Sequence, residues 1–84
     1  MIQQDIKIIN QLGLHTRPAA LLAQTAANFA CDIQLSKDGV NVNAKSIMGV
    51  MSLGLLNGDS ITIETNGEDE VGALEEIEKF LAGK

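Results

Sequence analysis

The apolar residues of this 84-residue chain change their period repeatedly, and that alternation limits the fold more than any other feature. Ile2, Ile6 and Ile8 fall on one face of a strand, with Gln4 as the exception, and the run ends near Asn10. Gln11 to Leu14 read as a loop around Gly13. From Thr16 the spacing turns helical. Ala19, Leu22, Ala23, Ala26 and Ala30 recur on one side, with Gln24, Thr25 and Asn28 on the wet side. Pro18 suits a first helical turn, where a missing N–H costs little, so the helix is expected to begin close to His15.

Alternation then returns. Ile33 and Leu35 interleave with Asp32, Gln34 and Ser36; Val40 and Val42 interleave with Asn41 and Asn43. Between them "SKDG" places Asp38-Gly39 where a tight hairpin turns. Ser46 opens "IMGVMSL", apolar nearly all round and read as a short helix despite Gly49. After a turn at Asn57-Gly58-Asp59, Ile61 and Ile63 alternate with Thr62 and Glu64 up to Asn66-Gly67. A last helix follows the acidic "EDE", with Val71, Leu74, Ile77 and Leu81 as its apolar stripe and early acids at the positive end of its dipole.

The predicted order is strand, helix, strand, strand, helix, strand, helix. Two βαβ-like halves and one hairpin predict an α+β layer fold: four strands, mostly antiparallel, with the helices on one face. Residues 1–84 are expected to form one domain, since a chain this short has no room for a second core.

Composition narrows the function. Phe29 and Phe80 are the only aromatic residues, so the core must be aliphatic. A chain of this size buries roughly 60–65% of the surface its unfolded form exposes. A large enclosed pocket would consume that core, which places any chemistry on the surface. Six basic against 11 acidic residues give a net charge of −5, contrary to what a general nucleic-acid binder needs. Cys31 is alone, which excludes an internal disulfide and a cysteine metal cluster. No signal peptide or bilayer-spanning run is visible, and a soluble, cytoplasmic domain is expected.

The densest concentration of chemistry is "GLHTRPA", positions 13 to 19. It holds the only histidine, His15, with Arg17 two residues on and the only proline after that. Backbone N–H groups at a helix start lack intrahelical partners and favour anions. Arg17 adds a permanent cation with donors shaped for phosphate oxygens. A neutral imidazole there is able to attack a phosphoryl donor through one ring nitrogen, and the product's oxygens meet N–H groups and Arg17. The grouping fits a phosphohistidine. A plainer reading stands beside it, in which His15 caps the helix and Arg17 is a solvated surface residue. A metal site is disfavoured because no second histidine exists, and a hydrolase because no nucleophile or orienting acid is assignable.

"GLHTRPA" resembles the active-site signature of HPr, the histidine-containing phosphocarrier family of the bacterial phosphoenolpyruvate-dependent sugar phosphotransferase system. "NVNAKSIMGVMSLG", positions 41 to 54, resembles that family's regulatory-serine segment. The likeness covers essentially the whole chain. It implies an open-faced β-sandwich of four antiparallel strands under three helices. It further implies that His15 accepts a phosphoryl group on Nδ1 from phosphorylated enzyme I and passes it to the IIA domains of sugar permeases. Arg17 would balance charge during transfer, and the Thr16 backbone N–H would lie near the phosphoryl group. Thr16 departs from the pattern, since many members carry alanine there. The implied carrier needs no cofactor or metal and is not an enzyme with turnover of its own.

Ser46 has two readings. On its residues alone it is an N-cap whose hydroxyl satisfies an orphan N–H, and Met48 and Met51 are core filler or flexible contact residues. A helix this short cannot bury every side, so some of Ile47, Met48 and Met51 are expected on a partner-facing patch. The resemblance, strongest to HPr of low-GC Gram-positive bacteria, implies phosphorylation of Ser46 by HPr kinase/phosphorylase. It also implies a catabolite control repressor as partner, hence a link to carbon catabolite repression. A monomer is expected, without direct nucleic-acid binding or membrane insertion. Against the carrier stand a purely regulatory relative, of the type in which the active-site histidine is replaced, and a small phosphohydrolase. The presence of His15 argues against the first, and the lack of a second catalytic group against the other.

Overall fold

The computed structural model describes residues 1–9 and 16–83, with Thr16 and Arg17 described by backbone alone. The elements follow the order β1 (Ile2–Lys7), α1 (Thr16–Ala27), β2 (Asp32–Lys37), β3 (Val40–Asn43), α2 (Ile47–Ser52), β4 (Ser60–Asn66) and α3 (Glu70–Leu81). The loop expected at Gln11 to Leu14 and the end of the first run near Asn10 lie outside the described residues.

The four strands form one sheet in the order β1-β4-β2-β3, and all three neighbouring pairs are antiparallel. β4 is thus inserted between β1 and β2, so the two βαβ-like halves interleave instead of lying side by side. Register brings Ile6 opposite Ile61 and Ile63 opposite Leu35, which stacks the apolar sides of three strands. The other sheet face is polar. There Gln3 donates to Glu64 (2.7 Å), Thr62 to Asp5 (2.7 Å) and Ser36 to Asn41. With three helices closing only one side, this is the expected open-faced α+β sandwich.

The core joins Ala19, Leu22 and Ala26 of α1 to Ile33, Leu35, Ile61 and Ile63 of the sheet and to Ala73, Ile77 and Leu81 of α3. α1 packs against α2 and α3, and α3 in turn against β4 and β1. Thr65 is the core's one buried polar side chain among the described residues, and its hydroxyl donates to Glu70 O at 3.0 Å. A satisfied hydroxyl removes the cost of burying it.

Three sequence expectations are corrected. Ala30 does not continue the α1 stripe: the helix ends at Ala27, and Ala30 is exposed with its N–H donating to the Asp69 carboxylate at 2.8 Å. Val71 is 60% exposed, and Ala73 takes its expected place against the core with Ile77 and Leu81. Positions 73, 77 and 81 are one helical row, whereas 71 lies about a third of a turn away. Val40 is also exposed, at the turn end of a strand that forms the sheet's edge. The hairpin itself is as expected, with Asp38 (φ 51°) and Gly39 (φ 82°) both left-handed, the geometry a two-residue turn needs to match strand twist.

Candidate functional site

His15 lies outside the described residues. What the structure does place is the helix that follows it. Thr16 and Arg17 are the first two residues of α1, and Pro18 is the third, within the turn whose N–H groups have no intrahelical acceptor. Removing one donor there costs the helix nothing, so the proline starts α1 without interrupting it. The sequence signature therefore leads into a helix N-terminus, with one cation in its first turn and no acid there.

α2 packs against α1. Its start is fixed by Ser46, an N-cap with extended backbone (φ −102°, ψ 116°) whose Oγ accepts from Gly49 N at 3.1 Å. The approach to that cap is held on three sides. Ser46 N donates to Asn43 O (3.0 Å), Lys45 N to the Asn43 side chain (2.9 Å), and Lys45 Nζ to Phe29 O in the loop after α1 (2.8 Å). Ser46 itself is exposed, so its hydroxyl can be reached while it caps.

Only one face of α2 enters the core. Val50 is fully buried, and Leu53 just beyond the helix is nearly so, whereas Met48 is 82% exposed and Ile47 and Met51 are each 41% exposed. A six-residue helix that shows three large apolar side chains to solvent carries a surface with more apolar area than packing requires. Two further exposed leucines were not singled out by the sequence: Leu21 on α1 and Leu56 after α2. The only signal for Leu56 was its place between a core residue, Leu55, and the turn at Asn57-Gly58.

Three carboxylates outside this surface, Asp69, Glu70 and Asp59, are held by backbone N–H groups or cations. Asp69 accepts from the N–H groups of Ala30 (2.8 Å) and Cys31 (2.9 Å), chiefly the first of which holds its carboxyl below the usual range. Glu70 is lowered by the Gly67 N–H and then by the N-terminal ammonium, and Asp59 by the Lys37 ammonium and then by the Leu56 N–H. Burial, followed by the adjacent Asp69 carboxylate, pushes the Cys31 thiol up, consistent with an inert packed cysteine. No described helix is long and apolar enough to cross a membrane.

Comparison with known proteins gives the same result over nearly the full length. The family model described as "PTS HPr component phosphorylation site" matches residues 2–83. The phosphocarrier protein HPr of Cupriavidus necator is 45% identical over 84 residues, covering all of this chain and 94% of that one. The HPr-like protein Crh of Bacillus subtilis is 47% identical over 81 residues, 96% of this chain and 95% of that one. The crystal structure of HPr from Bacillus anthracis superposes with a TM-score of 0.92 at 46% identity, over 95% of each chain. Crh has also been solved as a domain-swapped dimer, with a TM-score of 0.82, which stands in contrast to the monomer expected from sequence. Match, identity and fold agree: this chain belongs to the HPr family, the phosphocarriers of the phosphotransferase system.

Proposed function

We propose that this chain is a cytoplasmic carrier domain that takes a phosphoryl group from phosphorylated enzyme I on Nδ1 of His15 and delivers it to the IIA domains of sugar permeases. The observation that carries this reading is the family match across residues 2–83, with "GLHTRPA" leading directly into α1. In the accepting step the unprotonated Nδ1 attacks phosphorus. The N–P bond forms as phosphorus separates from the donor atom, which keeps the bonding electron pair. Delivery runs the same exchange toward the next acceptor. Arg17 and the first N–H groups of α1, that of Thr16 included, balance the oxygens' charge.

A carrier must not become a trap. Each 1.4 kcal/mol of extra affinity for the phosphoryl group biases transfer tenfold against release. In this reading a site with few contacts keeps donor and acceptor states close in free energy, a demand that suits a chain whose only aromatic residues are Phe29 and Phe80. The apolar surface of Ile47, Met48 and Met51 on α2, which packs against α1, serves in this reading as the docking surface for enzyme I and the IIA domains.

Ser46 adds regulation. Phosphorylation by HPr kinase/phosphorylase would put about −1.5 to −2 charges at the start of α2, beside the docking residues. That charge weakens docking to an acidic partner and offers a handle to an arginine-bearing one such as a catabolite control repressor. The 47% identity to Crh favours this regulatory role alongside the carrier role.

The test is a mass measurement after incubation with phosphoenolpyruvate and enzyme I. One acid-labile phosphoryl group is expected on the native chain and none on a folded His15→Ala variant. Native-like labelling of that variant overturns the assignment, and free phosphate released with turnover indicates a hydrolase instead.

A further inference from the structure

We propose that the Lys37–Asp59 ion pair is a positioning device for docking, holding Leu56 outward as an anchor for an apolar hollow on enzyme I; the proposal rests on the carrier reading above. Leu55 is buried, whereas Leu56, the next residue, is 59% exposed. The backbone that carries this exposed leucine is clamped. Leu56 N donates to Asp59 Oδ2 at 2.8 Å, and Leu56 O accepts from Asp59 N at 3.0 Å. The same Asp59 oxygen meets Lys37 Nζ at 2.8 Å, and that ammonium also donates to Gly54 O at 3.4 Å. One lysine therefore spans both ends of the α2–β4 connection. Only 21% and 26% of the two side chains are exposed. Charge-assisted bonds shielded to that degree hold a geometry more firmly than an ion pair in open water.

The turn is fastened at two further points. Ile8 N donates to Asp59 O and Gly58 N donates to Ile8 O, each at 2.8 Å, and Ile8 is fully buried. At the other end Gly54 N donates to Met51 O at 3.1 Å. The end of α2 and the turn bearing Leu56 are thus one hydrogen-bonded unit, which continues the surface of Met48 and Met51 along the chain. Its charge says what it fits. No acidic residue lies between Asp38 and Asp59, and the one cation in that stretch, Lys45, donates to Phe29 O at 2.8 Å. The surface offers a partner no anion to pair with, so the matching face is apolar. A leucine fixed before contact avoids the ordering cost that a mobile loop incurs on binding.

The experiment measures enzyme I-dependent phosphorylation as kcat and KM, with this chain as the varied substrate. It compares Leu56→Ala, Lys37→Met and Asp59→Ala with the native chain, and then combines each of the last two with Leu56→Ala. Thermal unfolding of every variant locates an assay temperature at which all are folded. Leu56→Ala is expected to raise KM about fivefold to tenfold, as truncation of an interface anchor does. Lys37→Met and Asp59→Ala are each expected to raise KM about threefold alone, but by less than about 1.5-fold once residue 56 is alanine, because the clamp then presents nothing. If Asp59→Ala does not fold, the Lys37→Met cycle carries the comparison. A pair that only stabilises the fold acts equally in both backgrounds, and that result overturns the proposal. So does a native KM in Leu56→Ala, or a defect confined to kcat. Phosphorylation of a His15→Ala control instead overturns the carrier reading, which separates the two failures.

Discussion

The Asp69 carboxylate accepts the backbone N–H of Cys31 at 2.9 Å, although the two residues stand 38 positions apart. Asp69 occupies the N-cap position of α3 but makes no side-chain cap bond there; it crosses to the start of β2 and also takes the Ala30 N–H. Next to it, a Cβ on Gly67 would come within 2.6 Å of the Cys31 Cβ, at a φ of 151° that only glycine adopts readily. The α1–β2 and β4–α3 junctions are therefore locked together by one carboxylate and one missing side chain.

Asp69→Ala should lower the thermal midpoint by several degrees, since it removes the acceptor of two N–H donors, of which that of Cys31 is partly shielded from replacement by water. Asp69→Asn, which retains one acceptor oxygen, should fall between. The Cys31 thiol reports the same junction: in the native protein, alkylation should proceed only as fast as unfolding, and in Asp69→Ala it should be faster. Equal midpoints and equal alkylation rates would show that this bridge is dispensable.

Acid sensitivity has a defined direction. Asp69, Glu70 and Asp59 each have a carboxyl held below its ordinary value in the folded state, by the Ala30 N–H, the Gly67 N–H and the Lys37 ammonium respectively. A group of this kind stabilises the fold above its unfolded pKa, and that contribution disappears as pH falls through the lower folded value. Stability followed by circular dichroism should thus be flat near neutrality and decline below about pH 4. Asp69→Asn should flatten the decline, because one of the three linked protons is removed.

Ser46 separates capping from charge. Ser46→Ala should cost about 1 kcal/mol in denaturant unfolding, as the Gly49 N–H loses its acceptor. Ser46→Asp keeps an acceptor and places its charge at a favourable helix end, so it should fold as well as the native chain. It should nonetheless slow phosphorylation of His15 by enzyme I. An unchanged rate would count against docking through this end of α2.

The docking surface can be separated from the core by exposure. Met48 is 82% exposed, so Met48→Ala should alter stability by less than about 0.5 kcal/mol while raising KM for enzyme I. Ile77 is fully buried between α3 and the sheet, and Ile77→Ala should cost about 2–5 kcal/mol. Kinetics measured on the folded fraction of the Ile77 variant should stay near native. A Met48 variant with native KM would remove that side chain from the proposed interface.

Sequence alone settled whatever depends on neighbours within a few residues. Period 2 located the strands and period 3.6 the helices, Asp38-Gly39 marked the hairpin, Ser46 marked its own cap, and "GLHTRPA" pointed to a helix start and a family. Spatial neighbours decided the rest. β4 enters between β1 and β2 because that register stacks Ile6, Ile61, Ile63 and Leu35 on one side, and no local pattern states which strands will meet. Val71 and Ala30 are apolar and fit an inward stripe by spacing, but burial depends on which helical row faces a partner and where the helix stops. In the sequence Lys37 stands beside the hairpin turn at Asp38-Gly39, and Asp59 belongs to the turn at Asn57-Gly58-Asp59. Only the folded chain brings them within 2.8 Å of each other, because ion pairs and carboxylate bridges form across distances in space that sequence separation does not encode.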